Sequence, residues 1–122
     1  METDNPVVKL CIAGTQAEFQ HKIEEAKGFY EQAWQIQTND YEACIAAHYM
    51  ARFQEDAGIE FDWNQKALKH ALSCELDRVS AFLPSLYLNL GKSYEKLGDL
   101  ASAKMHYDQA SQLGLSHQMD VE

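Results

Sequence analysis

The sequence predicts an all-α fold of short helices folded back on one another. Three observations carry this. Helix-start residues recur at regular intervals. Between them the apolar residues step by three and four rather than by two, the period of helices with one buried face. Only two prolines and six glycines occur among 122 residues, too few for the many tight turns of a sandwich or barrel. Ala, Gln, Glu, Leu and Lys, all good helix formers, are frequent. The length gives room for a single domain, residues 1–122.

Six helices are expected, at about 6–20, 22–37, 40–55, 60–75, 80–97 and 99–113. The first opens at Asn5-Pro6, an N-cap followed by a proline whose missing N–H the first turn does not need. The alternation Val8-Lys9-Leu10-Cys11-Ile12 is too short to overrule that cap. The second helix carries Ile23, Ala26, Tyr30 and Ala33 on one face. Its start has two readings. Thr15 to Gln37 can be one long helix with a Thr15/Glu18 capping box, or a turn falls at Gln20-His21-Lys22, where His tolerates left-handed backbone. Asn39 with Glu42 opens the third helix and Asp62 with Gln65 the fourth, both as capping boxes. Pro84 opens the fifth, which carries Leu86, Leu90, Tyr94 and Leu97. Gly98 stops it and Asp99 caps the sixth, with Leu100, Ala103, Tyr107, Ala110 and Leu113.

Short helices with short links suggest a repeat. The clearest unit runs from Pro84 to Leu115 and reads Tyr87, Leu90, Gly91, Tyr94, then Leu97-Gly98-Asp99, then Ala103, Tyr107, Ala110. Gly91 and Ala103 are small where two helices approach, and the tyrosines and leucines fill the gaps between them. The unit resembles the tetratricopeptide repeat, a helix–turn–helix of about 34 residues. It departs from that family at the closing proline position, held here by Leu115. The register recurs upstream. Ala26, Tyr30 and Ala33 repeat the spacing of Ala103, Tyr107 and Ala110, and Gly14 precedes Ala26 as Gly91 precedes Ala103. A further repeat length reaches His48 at the glycine position, Ala51 at the next tyrosine position and Ala67. The resemblance thus implies three repeats at about 7–40, 41–76 and 84–117, the second degenerate. It also implies their stacking as a short right-handed superhelix.

Composition narrows the function. Ten Lys and Arg against 19 Asp and Glu give a formal net charge of −9, so a nucleic-acid partner is not expected. No apolar run approaches the roughly 20 residues of a membrane span, and Met1-Glu2-Thr3-Asp4 lacks the basic start of a signal peptide. Three cysteines without a CxxC pair read as free thiols of a cytoplasmic protein. There is no GxGxxG, Walker or HExxH motif, so neither catalysis nor a cofactor is expected. Glu24-Glu25 sits early in a helix, where it favours the dipole. Cys44 and His48, with His70 and Cys74, are two pairs of i,i+4 residues. They converge as a zinc site only if their helices place all four together.

The family resemblance implies an inner groove lined by the first helix of each repeat. By register this gives Val8, Cys11, Thr15 and Phe19; then Glu42, Ile45, Tyr49, Arg52 and Phe53; then Ser85, Leu88, Asn89, Lys92 and Lys96. The partner-contacting set is Tyr49, Arg52, Phe53, Leu88, Asn89, Lys92 and Lys96. In an acidic chain, Arg52, Lys92 and Lys96 with Asn89 are suited to an acidic side chain, and Tyr49 and Phe53 to apolar ones. A plainer reading leaves the cations solvated or paired with Glu42 and Glu95. The carboxylate clamp of some family members is absent, since its five positions read Cys11, Thr15, Ala46, Ser85 and Asn89. The expected function is therefore non-catalytic binding of a protein or peptide, with self-association as a homodimer as the alternative. A Cys/His metal protein is the third reading.

Overall fold

The computed structural model describes residues 2–115. Its helices are α1 (Pro6–Phe19), α2 (Ile23–Ile36), α3 (Asp40–Met50), α4 (Ala57–Leu72), a short α5 (Leu76–Val79), α6 (Leu83–Lys96) and α7 (Leu100–Ala110). A π-helical turn over Ser111–Leu115 follows, with Gly114 at φ 104°. The described residues contain no strand. Helices α1 and α2, α3 and α4, and α6 and α7 pair as three hairpins, and α3 and α6 then pack on the hairpin before them. The expected last residues of the third repeat, 116–117, lie outside the described residues.

Polar caps set the helix starts. Asn5 Oδ1 accepts from the Val7 and Val8 N–H groups at 2.8 and 3.3 Å. Asn39 accepts from Glu42 N–H at 2.9 Å, and Asp99 from Ser102 N–H at 3.1 Å. The Glu42 carboxylate does not close a capping box. It accepts from the Thr38 N–H at 2.8 Å, from the Thr38 hydroxyl at 3.1 Å and from Asn5 Nδ2 at 2.8 Å. A buried carboxylate thereby ties the starts of α1 and α3 together. The fourth helix begins earlier than expected. Asp56, not Asp62, is its cap, accepting from the Gly58 and Ile59 N–H groups, and Asp62 lies inside α4. The third helix ends at Met50, short of the expected 55, where the Gln54 side chain takes up the Met50 carbonyl at 2.8 Å.

The two readings of residues 15–37 resolve as a turn. His21 adopts φ 61°, and the N–H groups of Lys22 and His21 bond back to the Ala17 and Glu18 carbonyls. This is the Schellman closure of a helix. Gly98 repeats it at φ 86°, with Asp99 and Gly98 bonding back to Tyr94 and Glu95.

Each outer hairpin is set by a glycine beneath a tyrosine ring. A Cβ on Gly14 would overlap the Tyr30 ring, and one on Gly91 would lie 2.6 Å from Tyr107 Cε1. The two tyrosine hydroxyls donate to Glu18 at 2.5 Å and to Glu95 at 2.6 Å. In the middle hairpin the glycine position is His48, and the tyrosine position is Asn64. Asn64 is buried and donates instead to Ser93 Oγ of α6 at 2.9 Å. The aromatic bulk has passed from the second helix of the hairpin to the first.

The longer link expected near Cys74 to Leu83 contains α5. Val79 anchors it in the core, and Arg78 lies 4.1 Å over the Tyr41 ring while pairing with Glu2 at 2.9 Å.

Three glycine substitutions separate these roles. Gly14→Ala places a methyl group against a ring that is 1% exposed, and a loss of about 1–3 kcal/mol is expected. Gly91→Ala costs less, because Tyr107 is only half-buried. Gly28, exposed in α2 with nothing near its Cβ position, gains about 0.5–1 kcal/mol as Ala from helix propensity. Chemical denaturation of the three variants checks the order.

Candidate functional site

The end of α3, the α3–α4 loop, α4 and α6 enclose a cavity of about 340 Å³, lined by His48, Ala51, Arg52, Phe53, Glu60, Asn64, Asn89, Lys92 and Lys96. Five of the seven expected contact residues, Arg52, Phe53, Asn89, Lys92 and Lys96, meet there. Tyr49 lies behind them, stacked on Tyr30 at 5.0 Å between ring centroids. It lines a neighbouring cavity of about 180 Å³ with Ile45, His48, Phe82, Ser85 and Leu86. Leu88 is half-buried and outside the larger cavity.

The register places too much of the first two hairpins in the groove. Val8 and Cys11 are 0% exposed, and Glu42 and Ile45 are also buried, because α3 packs directly on α1 and α2. Phe19, by contrast, is 81% exposed. Sequence reasoning left Glu60 and Asn64 out of the site. Both lie on α4, a second helix, whereas the register had assigned the groove to first helices alone. Both fall within the helix expected at 60–75, one turn apart and so on one face, which was the available signal.

The cations have counter-charges other than Glu42 and Glu95. Arg52 makes a two-pronged pair with Glu18, Nε to Oε2 at 3.0 Å and Nη2 to Oε1 at 2.5 Å. Lys96 Nζ meets Glu60 Oε1 at 2.8 Å. Lys92 has no ion-pair partner among the described residues. The lining therefore holds three cationic side chains against one carboxylate. Phe53 adopts φ 64°, a conformation that bulky residues rarely take, and its ring lies 5.6 Å from the Arg52 guanidinium carbon. The loop thus holds an aromatic face and a guanidinium together at the rim.

Titration follows burial and these bonds. Burial raises the Glu18 carboxyl, but the hydrogen bonds from Arg52 and Tyr30 outweigh it and hold the group below the usual range. Glu42 behaves alike: burial opposes ionisation and the donors from Thr38 and Asn5 prevail. His48, largely buried, is lowered by desolvation and then by the charge of Arg52. It lies 3.5 Å from the Asn89 amide.

Cys44, His48, His70 and Cys74 do not converge. His70 Nδ1 pairs with Asp40 at 2.8 Å, and the Cys74 thiol donates to the His70 carbonyl at 3.5 Å. Among the described residues no three His, Cys, Asp or Glu side chains gather as metal ligands. Burial pushes the Cys11 and Cys44 thiols up to about 12, far from the thiolate a nucleophile needs. No helix of the described residues is long and apolar enough to cross a membrane.

The model of the tetratricopeptide repeat family matches residues 84–113, which span α6 from its second residue, α7 and the first three residues of the π-helical turn. No curated protein and no solved structure matches the chain.

The lowered groups give a signed pH dependence. Each contributes stability above its unfolded pKa and loses it as pH falls through its folded one. The His48 contribution is complete above about pH 6.5 and those of Glu18 and Glu42 above about pH 4.3. Thermal melts are expected to hold level at neutral pH, fall first below about 6.5 and again below about 4.3. His48→Gln should remove the first fall and leave the second.

Proposed function

We propose, from the match of residues 84–113 to the tetratricopeptide repeat family, that all three hairpins are such repeats and together form a binding module. Repeats of this kind generally mediate protein–protein contact. The module takes an acidic segment of a protein or peptide in the cavity between α3, α4 and α6 and carries out no chemistry. The observation that supports this most directly is Lys92: a cation without a counter-charge among the described residues, beside Asn89 and two further cations, in a chain of net charge −9. Arg52 and Lys96 are already paired. They offer the incoming acid their remaining N–H donors rather than a vacant charge. Phe53 and Tyr49 supply apolar surface beside them. Burial keeps the Cys11 and Cys44 thiols protonated, which is consistent with a role without thiol chemistry.

Titration with two labelled peptides of equal length tests this, one rich in Asp, Glu and Leu, the other with Lys in place of the acids. The acidic peptide should bind with resonance shifts at Asn89 and Lys92. Lys92→Glu should weaken it by about tenfold or more, the size of one charge-assisted contact, without changing the melting temperature. Equal binding of the two peptides would remove the acidic assignment.

Self-association is the second reading. Leu100, Met105 and Leu113 are 67%, 69% and 42% exposed at the last hairpin, and an isologous dimer would cover them. Light scattering that gives the monomer mass throughout the micromolar range removes it.

A further inference from the structure

Away from this cavity, α4, α6 and α7 border a groove of about 610 Å³ that the binding reading above does not use. Its origin lies in a difference between the two junctions of the stack. Ala33, Ala67 and Ala110 hold the same register position in α2, α4 and α7, and each is 0% exposed. At the first junction, the residue after Ala33 is Trp34, and the residue one turn before Ala67 is Trp63. The two indoles meet edge to face at 5.0 Å between centroids and 83° between planes. At the second junction, the residue after Ala67 is Leu68, and the residue one turn before Ala110 is His106. Both line the groove. An isobutyl group and an imidazole stand where the first junction has two indoles, and the volume they lack is left open.

The lining suits a ligand of definite chemistry. Leu90 and Tyr94 form the floor. His106 lies 4.9 Å from the Tyr94 ring, and its Nδ1 is committed to the Ser102 carbonyl at 2.8 Å. Nε2 is then the nitrogen left to accept a hydrogen bond. Lys66 and Lys69 stand along α4, with Asp62 the one carboxylate in the lining. Lys66 Nζ also sits 4.4 Å from the Trp63 ring centre. Lys69 has no ion-pair partner among the described residues.

We propose that this groove receives an aromatic side chain from a partner segment that carries an acidic group beside it. The ring occupies the gap between Leu68 and His106 as Trp34 occupies the one at Trp63. The acidic group lies against Lys66 and Lys69. The partner supplies the indole-like bulk that the second junction of the chain lacks, and the two basic side chains select its charge.

Indole-3-acetate, which joins an indole to a carboxylate, is the probe, followed by amide and side-chain resonances of the whole chain. Saturable shifts are expected at Leu68, Leu90, Tyr94 and His106. Lys69→Glu should weaken the probe by about tenfold. His106→Trp should fill the gap, abolish the shifts and raise the melting temperature. Cyclohexane-acetate, of the same charge but smaller and without a π face, should bind more weakly than the indole. Four outcomes overturn the proposal: no saturation at millimolar probe, shifts confined to Asn89 and Lys92, equal binding of the two acids, or binding unchanged in Lys69→Glu. Should His106→Trp fail to fold, Lys69→Glu and the cyclohexane control still decide it. Lys92→Glu, which tests the other cavity, should leave this binding unchanged, so the two sites stand or fall separately.

Discussion

The fold turns on how closely the two helices of a hairpin approach. At Gly14 and Gly91 the first helix presents bare backbone, and a tyrosine ring from the second lies where a Cβ would be. Close-packed interiors leave no slack for an extra methyl group at such a point. The same ring then uses its hydroxyl to fix a carboxylate one turn further on, Glu18 or Glu95. One contact therefore sets both the spacing of a hairpin and the position of a charge on its surface.

That charge connects hairpin geometry to the candidate site. Glu18 is held by Tyr30 from within its own hairpin and by Arg52 from the next. Arg52 ends up at the rim of the cavity because the carboxylate that anchors it is itself anchored. In the last hairpin Glu95 keeps its tyrosine and has no following arginine. At the positions of Val8 and Cys11, both fully buried, that hairpin carries Ser85 and Leu88, and Ser85 is exposed.

The middle hairpin departs most from the glycine–tyrosine pattern, and all three cavities described above border it. His48 replaces a glycine and Asn64 a tyrosine, so Asn64 turns away to Ser93 of α6 and His48 faces the space that remains. Leu68 and His106 replace two tryptophans across the next junction. At both of these departures polar and cationic side chains border open volume.

Much of this was legible in the sequence. Caps, period and the glycine–tyrosine spacing are local, and they were enough for the three hairpins and for the family match over residues 84–113, while the turn at His21 was one of two readings. These features act within a few residues of one another, so spacing alone carries them. The site was only partly legible: Arg52, Phe53, Asn89, Lys92 and Lys96 do meet, but Val8 and Cys11 vanish under α3, and Glu60 and Asn64 enter from α4. The partners of Arg52 and Lys96 are Glu18 and Glu60, far off in the chain. What only the tertiary structure decided is which face of each helix its neighbours leave uncovered, and which carboxylate reaches which cation. Both depend on the angle and depth at which one hairpin settles on the next, and that is set by the sum of many side-chain volumes rather than by any local pattern.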